Sequence, residues 1–395
     1  MRRHLSEVLT LDNWTAVRRN FPCTDARVFL NTGTLGPVAT PVMERYLSSM
    51  RQWNAVGPGS PDVYIGWRSR VETARAVLAT ALGCGPESLS LFGNVTDAIN
   101  VVLVGLRLPD DARIITTDEE HGALVGPLTQ LAQRGIAVDV VPFGWGGPEL
   151  VARLARAMDQ APTTLLALSH MSCETGAVFD VRALADEAHR RGVLVMLDGA
   201  QTPGQIRLAL DAWGVDFYPF NGHKWMGAPV GSGGLYIAPH ASARVALTFT
   251  GDGLGRSRRY PGAWTETRSA DGRRFEYGTR NWPAWVAWED VVAYRASLPG
   301  DPEERQRGLA RLLRGALAEV PGVAVRSPDP AGGIVTVSVD GLAGDVLYQK
   351  LLAAGVVGRR VLRPHLDGIR FSVAYFNNEE DVGRARDAVA QAARG

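Results

Sequence analysis

Two short stretches bring together residue types that could do chemistry. In the first, the apolar run Val193–Leu197 ends on Asp198, with Gln201 three residues on; in the second, Phe217–Phe220 ends in Asn221-Gly-His223-Lys224-Trp225. A lysine amine acts as nucleophile or base only when neutral. Since a free lysine has a pKa of about 10.4, burial must favour the neutral form. Lys224, between an apolar run and Trp225-Met226, is set for burial, against the reading of a surface lysine at a strand end. Asp198 could hold a cationic ring nitrogen, although an aspartate after a strand is more often a turn or cap residue. At Asn94-Val95-Thr96-Asp97 the strand-like Ser88–Phe92 gives way to the helical Ala98–Leu106. A helix N-terminus offers free N–H groups and a favourable dipole to an anion, and Thr96 adds a hydroxyl; an ordinary cap has the same geometry. In Gly368–Phe376, Ile369, Phe371, Val373 and Tyr375 share one face and Arg370, Ser372 and Ala374 the other. A guanidinium there could grip a carboxylate through two parallel hydrogen bonds, or simply face solvent.

These residues need a scaffold that gathers strand ends. From about Val28 to Pro239, short apolar runs alternate with amphipathic stretches, the pattern of an α/β domain with a buried, largely parallel sheet. Ala112–Thr117, Thr164–Leu168, Val193–Leu197, Phe217–Phe220 and Gly234–Ile237 read as strands. Ligands in open α/β sheets sit beyond the C-terminal strand ends, so His121, Cys173, Asp198, Asn221 and Lys224 are expected around one crevice. Residues 251–275, with many Gly and Arg, read as a long surface loop, and Asn54–Trp67 as another. Beyond helical Trp282–Ser297 come helix Glu303–Val320, alternating strands and helices, and a last helix capped by Asn377 with Glu380 three residues later. The expected division is an N-terminal segment 1–24 packing with the small domain, a large domain 25–285, and a small α+β domain 286–395.

Composition narrows the partners. A net charge of +1 leaves no footprint for nucleic acid or an anionic membrane, and no run is long and apolar enough to span one. Three scattered cysteines and no signal-peptide core point to a reducing, cytoplasmic setting. A nicotinamide enzyme would need G-x-G-x-x-G after a strand, but Gly251-Asp-Gly-Leu-Gly255 lacks the final spacing. The histidines show no H-E-x-x-H, so no metal is expected, and no G-x-S-x-G marks a serine hydrolase.

Taken together, Asn31-Thr-Gly-Thr-Leu-Gly-Pro37, Asp198…Gln201, His223-Lys224 and Arg370-Phe-Ser372 resemble the class V aminotransferases, in the branch of isopenicillin N epimerase-like and cysteine desulfurase-like proteins. The resemblance covers nearly the whole chain. It implies the PLP-dependent transferase fold type I (aspartate aminotransferase-like), an α/β large domain with a mostly parallel mixed sheet plus a smaller α+β domain. It also implies pyridoxal 5'-phosphate (PLP) held as a Schiff base on Lys224, with Asp198 on the pyridine nitrogen. At roughly 3 Å and an effective dielectric near 20, that pair is worth about 5 kcal/mol before desolvation. By the same resemblance His121 stacks on the ring and Gln201 lies by its phenolic oxygen. Val95, Thr96, Asn221 and His223 reach the phosphate, Thr279 does so from a partner subunit in a homodimer, and Arg370, with Asn31, grips the substrate carboxylate. Cys173 stands where desulfurases have an asparagine donor to the phenolic oxygen, and a thiol donates poorly.

Desulfurases need a mobile nucleophilic cysteine in the small domain, and this chain has none after Cys173. The expectation is a β-eliminating C–S lyase on a cysteine-conjugate-like specialised metabolite. Aminotransfer, epimerisation and decarboxylating oxidative deamination stand as alternatives, and a non-catalytic regulatory protein as the alternative of another class.

Overall fold

The structure, a computed structural model, describes residues 13–249, 271–363 and 365–394. Its larger sheet has seven strands in the spatial order Leu89–Phe92, Gly233–Ile237, Phe217–Asn221, Leu194–Asp198, Leu165–Ser169, Arg113–Thr117 and Ala137–Val141. Six run in one direction and Gly233–Ile237 runs against them. The α/β fold with a mostly parallel mixed sheet is therefore as expected. The reversal has a simple cause. Parallel neighbours need a crossover of a dozen or more residues, whereas Phe217–Asn221 reaches its neighbour through residues 222–232 without a crossover helix. That short return lies at the C-terminal edge of the parallel strands and carries Lys224.

All of these strands but the last are buried along their length, which is why they read as continuous apolar runs. Ala137–Val141 is an edge strand with no fully buried residue, and Asp139 interrupts its apolar run. The opposite edge, Leu89–Phe92, is closed by a buried ion pair. Arg75, fully buried on helix Pro61–Leu82, donates to both oxygens of Glu276 at 2.5 and 2.9 Å and to the Leu89 carbonyl at 2.9 Å. Glu276 in turn accepts the Leu91 N–H at 2.7 Å. Unpaired edge groups that would template another chain are thereby satisfied internally.

A second core surrounds an antiparallel sheet in the order Arg359–Arg363, Leu366–Ser372, Ile334–Val339, Val323–Val325. Helices Pro302–Ala318, Gly344–Ala353 and Glu379–Ala393 contribute buried Leu313, Leu347 and Val389 to it. Val28 and Leu30 are embedded in the same core, with Val28–Phe29 paired in parallel to Val356–Val357. Nearby, Arg18 donates to Asp381 at 2.6 and 3.1 Å, and Phe21 stacks on Phe376 at 4.3 Å.

Three local expectations are corrected. Asn54–Trp67 is mostly helical: helix Thr40–Val56 stops at Gly57, whose φ of 77° favours glycine, and Pro61 begins the next helix. The last helix is capped one residue later than expected, by Asn378 with Asp381 in a capping box. Asn377 is used elsewhere, accepting the Ala374 N–H and donating to the Phe29 carbonyl. In the expected 251–275 loop, the described part folds as a 3-10 turn, Gly272–Phe275, with Gly272 and Phe275 buried against the sheet edge; its arginines Arg256, Arg258, Arg259 and Arg268 lie outside the described residues.

Replacing Glu276 by Ala leaves buried Arg75 with only the longer, half-exposed pairing to Glu72 at 3.3 Å and the Leu89 carbonyl, and the Leu91 N–H without its acceptor. The expected loss is about 3–5 kcal/mol, read as a lowered urea midpoint, and a loss below about 1 kcal/mol would contradict the edge-closing role. Asn378→Ala is expected to cost about 1 kcal/mol through the lost cap, checked by the same unfolding titration, whereas Asn377→Ala acts through the junction it bonds.

Candidate functional site

Asp198 is the last residue of its strand and 3% exposed. One carboxylate oxygen accepts the Ala200 N–H at 2.8 Å. Burial pushes its carboxyl up from the ordinary range, opposed by that N–H and by the charge of Lys224. Lys224 is itself depressed to about 8, first by burial; Asp198 and Cys173 oppose the shift, while Arg370 and Arg359 add to it. The loop carrying it is pinned from the N-terminal motif, where the Gly36 N–H donates to the His223 carbonyl at 2.9 Å. A Cβ on Gly36 would run into the Lys224 carbonyl, so glycine is needed for this approach.

The helix Val95–Gly105 points its N-terminus at the same place. Asn94 accepts the Asp97 N–H at 3.0 Å, and Asn221 accepts that of Val95 at 2.8 Å. Asn221 therefore turns its carbonyl to the helix and competes with an anion for one of the free N–H groups. Thr96, between them, retains its N–H and hydroxyl for a ligand. His223 has a buried Nδ1 with no partner among the described residues, and burial with Lys224 beside it lowers its pKa to about 4. His121 caps helix Gly122–Gln133, its Nδ1 accepting the Ala123 N–H at 3.1 Å, which leaves the proton on Nε2.

A cavity of about 330 Å³ joins these groups, lined by Val95, Thr96, His121, Asn221, His223 and Lys224 among the expected residues, with Gly33, Thr34 and Arg359 on the other side. Asp198, Gln201, Cys173 and Arg370 are packed in the surrounding core and do not line it. Gln201 is committed elsewhere, donating to the Gly33 carbonyl at 2.9 Å and accepting from Trp225 Nε1 at 2.8 Å. The Cys173 thiol is 3.6 Å from a Glu174 oxygen, and burial pushes it up to about 11, so it is not a nucleophile here. Thr279 is exposed and away from the cavity in the single chain.

Arg370 faces inward, without any exposure. It donates to the Cys173 carbonyl at 2.7 Å, to Thr34 Oγ1 at 3.0 Å and to Asn31 Oδ1 at 3.4 Å, while its buried Nε has no partner. Arg359, in register with it on the neighbouring strand, reaches the cavity wall. Burial and the Arg359 charge lower Arg370 to about 10. Sequence reading missed Arg359, whose place depends on strand register, and Thr34, which lies inside a motif quoted only for Asn31. It also missed Glu120, buried behind the site, which accepts the N–H and hydroxyl of Ser169 at 2.8 and 2.6 Å. Burial raises that carboxyl to about 7.

The cavity thus presents a largely desolvated amine, a helix N-terminus beside an orphaned imidazole nitrogen, and the Arg359 guanidinium, with the buried Arg370 behind its wall. Those groups suit a ligand with a phosphate and a carbonyl, together with a carboxylate. Comparison with known proteins agrees. Residues 29–384 match the family described as Aminotransferase class-V. The chain is 31% identical to isopenicillin N epimerase of Amycolatopsis lactamdurans, over 95% of this chain and 98% of that protein. It is 26% identical to a probable cysteine desulfurase of Methanothermobacter thermautotrophicus, over 93% of this chain and 94% of the other. Among solved structures, the cystine C-S lyase C-DES in complex with its product cysteine persulfide superposes with a TM-score of 0.83 at 26% identity, covering 94% of this chain and 99% of that one. A C-DES mutant with glycine covalently linked to the PLP cofactor gives a TM-score of 0.84 at 26% identity, over 94% of this chain and 98% of that one. The fold is that of the type I PLP-dependent enzymes, and the orphaned His223 nitrogen, the open Thr96 N–H and the Lys224 amine fit that cofactor. The chain belongs to the class V aminotransferase family, PLP-dependent enzymes that act on amino acids.

Proposed function

We propose that this enzyme cleaves the Cβ–S bond of a cysteine conjugate by β-elimination, releasing a thiol and an enamine fragment that takes up water to give pyruvate and ammonia. The observation that carries this reading is the absence of any cysteine after Cys173, with Cys173 itself buried and held protonated. A sulfur carried off on the protein would need a mobile thiolate, whereas direct elimination of a thiol does not. The likeness to a cystine C-S lyase supports the same choice. Epimerisation is the second reading, favoured by the 31% identity to isopenicillin N epimerase.

When bound, PLP supplies an electron sink that makes the Cα–H of an attached amino acid acidic. The residues of this chain do the rest. Lys224 provides the covalent anchor and the base for the Cα proton, and its depressed pKa makes the amine available near neutrality. Asp198 supplies the buried negative charge that keeps a ring nitrogen protonated. Thr96 and His223 would hold the phosphate, with Val95 at the helix end, and Asn221 fixes that helix end by accepting the Val95 N–H. His121 offers its ring at the cavity wall, and Gln201, behind it, holds the Gly33 carbonyl and Trp225 in place. Arg370 and Arg359 take the substrate carboxylate, with Asn31 and Thr34 orienting Arg370, so that one Cα bond is set for cleavage. Thr279 reaches the phosphate of a second subunit in a homodimer.

The reading is tested by giving the holoenzyme cystine and S-substituted cysteines, one at a time, and assaying pyruvate together with cysteine persulfide from the former or thiol from the latter. Equimolar release supports elimination. Inversion at Cα with solvent deuterium uptake and no thiol would establish the epimerase reading instead. Lys224→Ala is expected to lower turnover at least about a hundredfold and to abolish the borohydride-fixed pyridoxyl group on this peptide. Arg370→Ala is expected to lower kcat/KM about a hundredfold, equivalent to the loss of about 3 kcal/mol of charge-assisted hydrogen bonding. The covalent labelling rate of apoenzyme Lys224 by added PLP follows the neutral amine, so it rises with pH to about 8 and then levels. A rate still climbing at the ordinary lysine pKa would contradict the desolvated setting of the amine.

A further inference from the structure

At the edge of the large sheet opposite Lys224, three residues from three elements converge. Asp216 opens the strand Phe217–Asn221 from its N-terminal side, His189 ends helix Val181–His189, and His240 follows strand Gly233–Ile237. Asp216 is fully buried, while the side chains of His189 and His240 are 37% and 65% exposed. His189 Nε2 lies 2.9 Å from one Asp216 oxygen and His240 Nε2 2.7 Å from the other. The Val195 N–H donates to the first oxygen at 2.7 Å, fixing the carboxylate plane. All three donor groups fall within 4.8 Å of one another, and the imidazole planes cross at 87°.

We propose that His189, Asp216 and His240 form a binding site for a divalent transition-metal ion of the zinc type. Two imidazole nitrogens and one carboxylate oxygen suit zinc, nickel or copper, whereas calcium and magnesium prefer all-oxygen sets. A tetrahedral ion about 2.0–2.1 Å from each donor would separate the donors by roughly 3.3 Å. The two His–Asp spacings would open by about half an ångström, and the imidazole nitrogens, within 4.8 Å of each other, would settle to the same separation through rotation of the exposed rings. On binding, each ring would coordinate through Nε2 with its proton on Nδ1, and a water would complete the fourth position. The buried oxygen keeps its Val195 donor, the kind of outer hydrogen bond that orients a metal-bound carboxylate. The strands Leu194–Asp198 and Phe217–Asn221 separate the site from Lys224 by the length of five residues, roughly 15 Å. The ion therefore ties a helix end to two strand ends and leaves the amino-acid chemistry alone.

The test uses tag-free holoenzyme stripped with a chelator and then equilibrated with zinc. Wild type is expected to retain one more zinc per chain than the His189→Gln/His240→Gln variant, and its Tm to rise with the logarithm of free zinc. His240→Gln alone, at an exposed position, should fold normally and lose the zinc-dependent Tm rise while keeping its turnover. Equal zinc content in wild type and both variants, or a Tm rise that survives His240→Gln, would overturn the proposal.

Discussion

The site depends on keeping the amine of Lys224 out of water beside the buried carboxyl of Asp198. Desolvation alone would neutralise both groups, one by losing a proton and the other by gaining it. Their mutual attraction restrains each shift, and the guanidiniums of Arg370 and Arg359 push the lysine back towards neutrality. An amine in that balance is available near neutral pH yet stays near an anion that can serve a cationic ring. The rest of the fold supplies the conditions for this balance: a sheet buried on both faces, a chain reversal short enough to bring Lys224 back over the strand ends, and a glycine, Gly36, that lets another segment close over the lysine backbone.

The two cores are coupled through the same residues. Arg370 sits on a strand of the smaller sheet, yet its donors go to Cys173 of the larger domain and to Asn31 and Thr34 of the connecting motif. Arg363, from the adjacent strand, donates to Glu174 at 2.9 Å and to the Glu120 carbonyl at 2.9 Å. Trp225, next to Lys224, is tied to Gln201, which in turn holds the Gly33 carbonyl. Any motion of the smaller sheet relative to the larger would therefore displace Arg370 and Arg359 relative to the amine. Fixing that distance is a way to favour cleavage of one Cα bond over another.

Much of the scaffold was legible because burial on both faces writes itself as unbroken apolar runs. The strands ending at Thr117, Ser169, Asp198 and Asn221 were read within a residue or so, and the rule that ligands sit at such ends gathered His121, Asn221 and Lys224 into one crevice. The edge strand Ala137–Val141 was not legible, since it is short, partly exposed throughout and broken by Asp139. The turn at Gly57–Ser60 between two long helices was mistaken for part of a loop, because glycine and proline punctuate both. The cap fell on Asn378 rather than Asn377, two adjacent asparagines that composition cannot tell apart; the choice was made by the Phe29 carbonyl, hundreds of residues away in sequence.

The sequence by itself determined the chemistry-bearing residue types, the strand ends that carry them and the family they resemble, because these are properties of short segments and their spacing. Only the tertiary structure decided which side chains line the cavity and which support it from behind. Arg359 became a wall residue through its register with Arg370, Asn221 was drawn to the Val95 N–H, and Gln201 was taken up by Gly33 and Trp225. The same holds for His189, Asp216 and His240, which share no local pattern and meet only where a helix end and two strands converge. Such choices depend on where hydrogen-bond partners lie across the fold, and a buried polar group takes whichever partner the packing brings within about 3 Å.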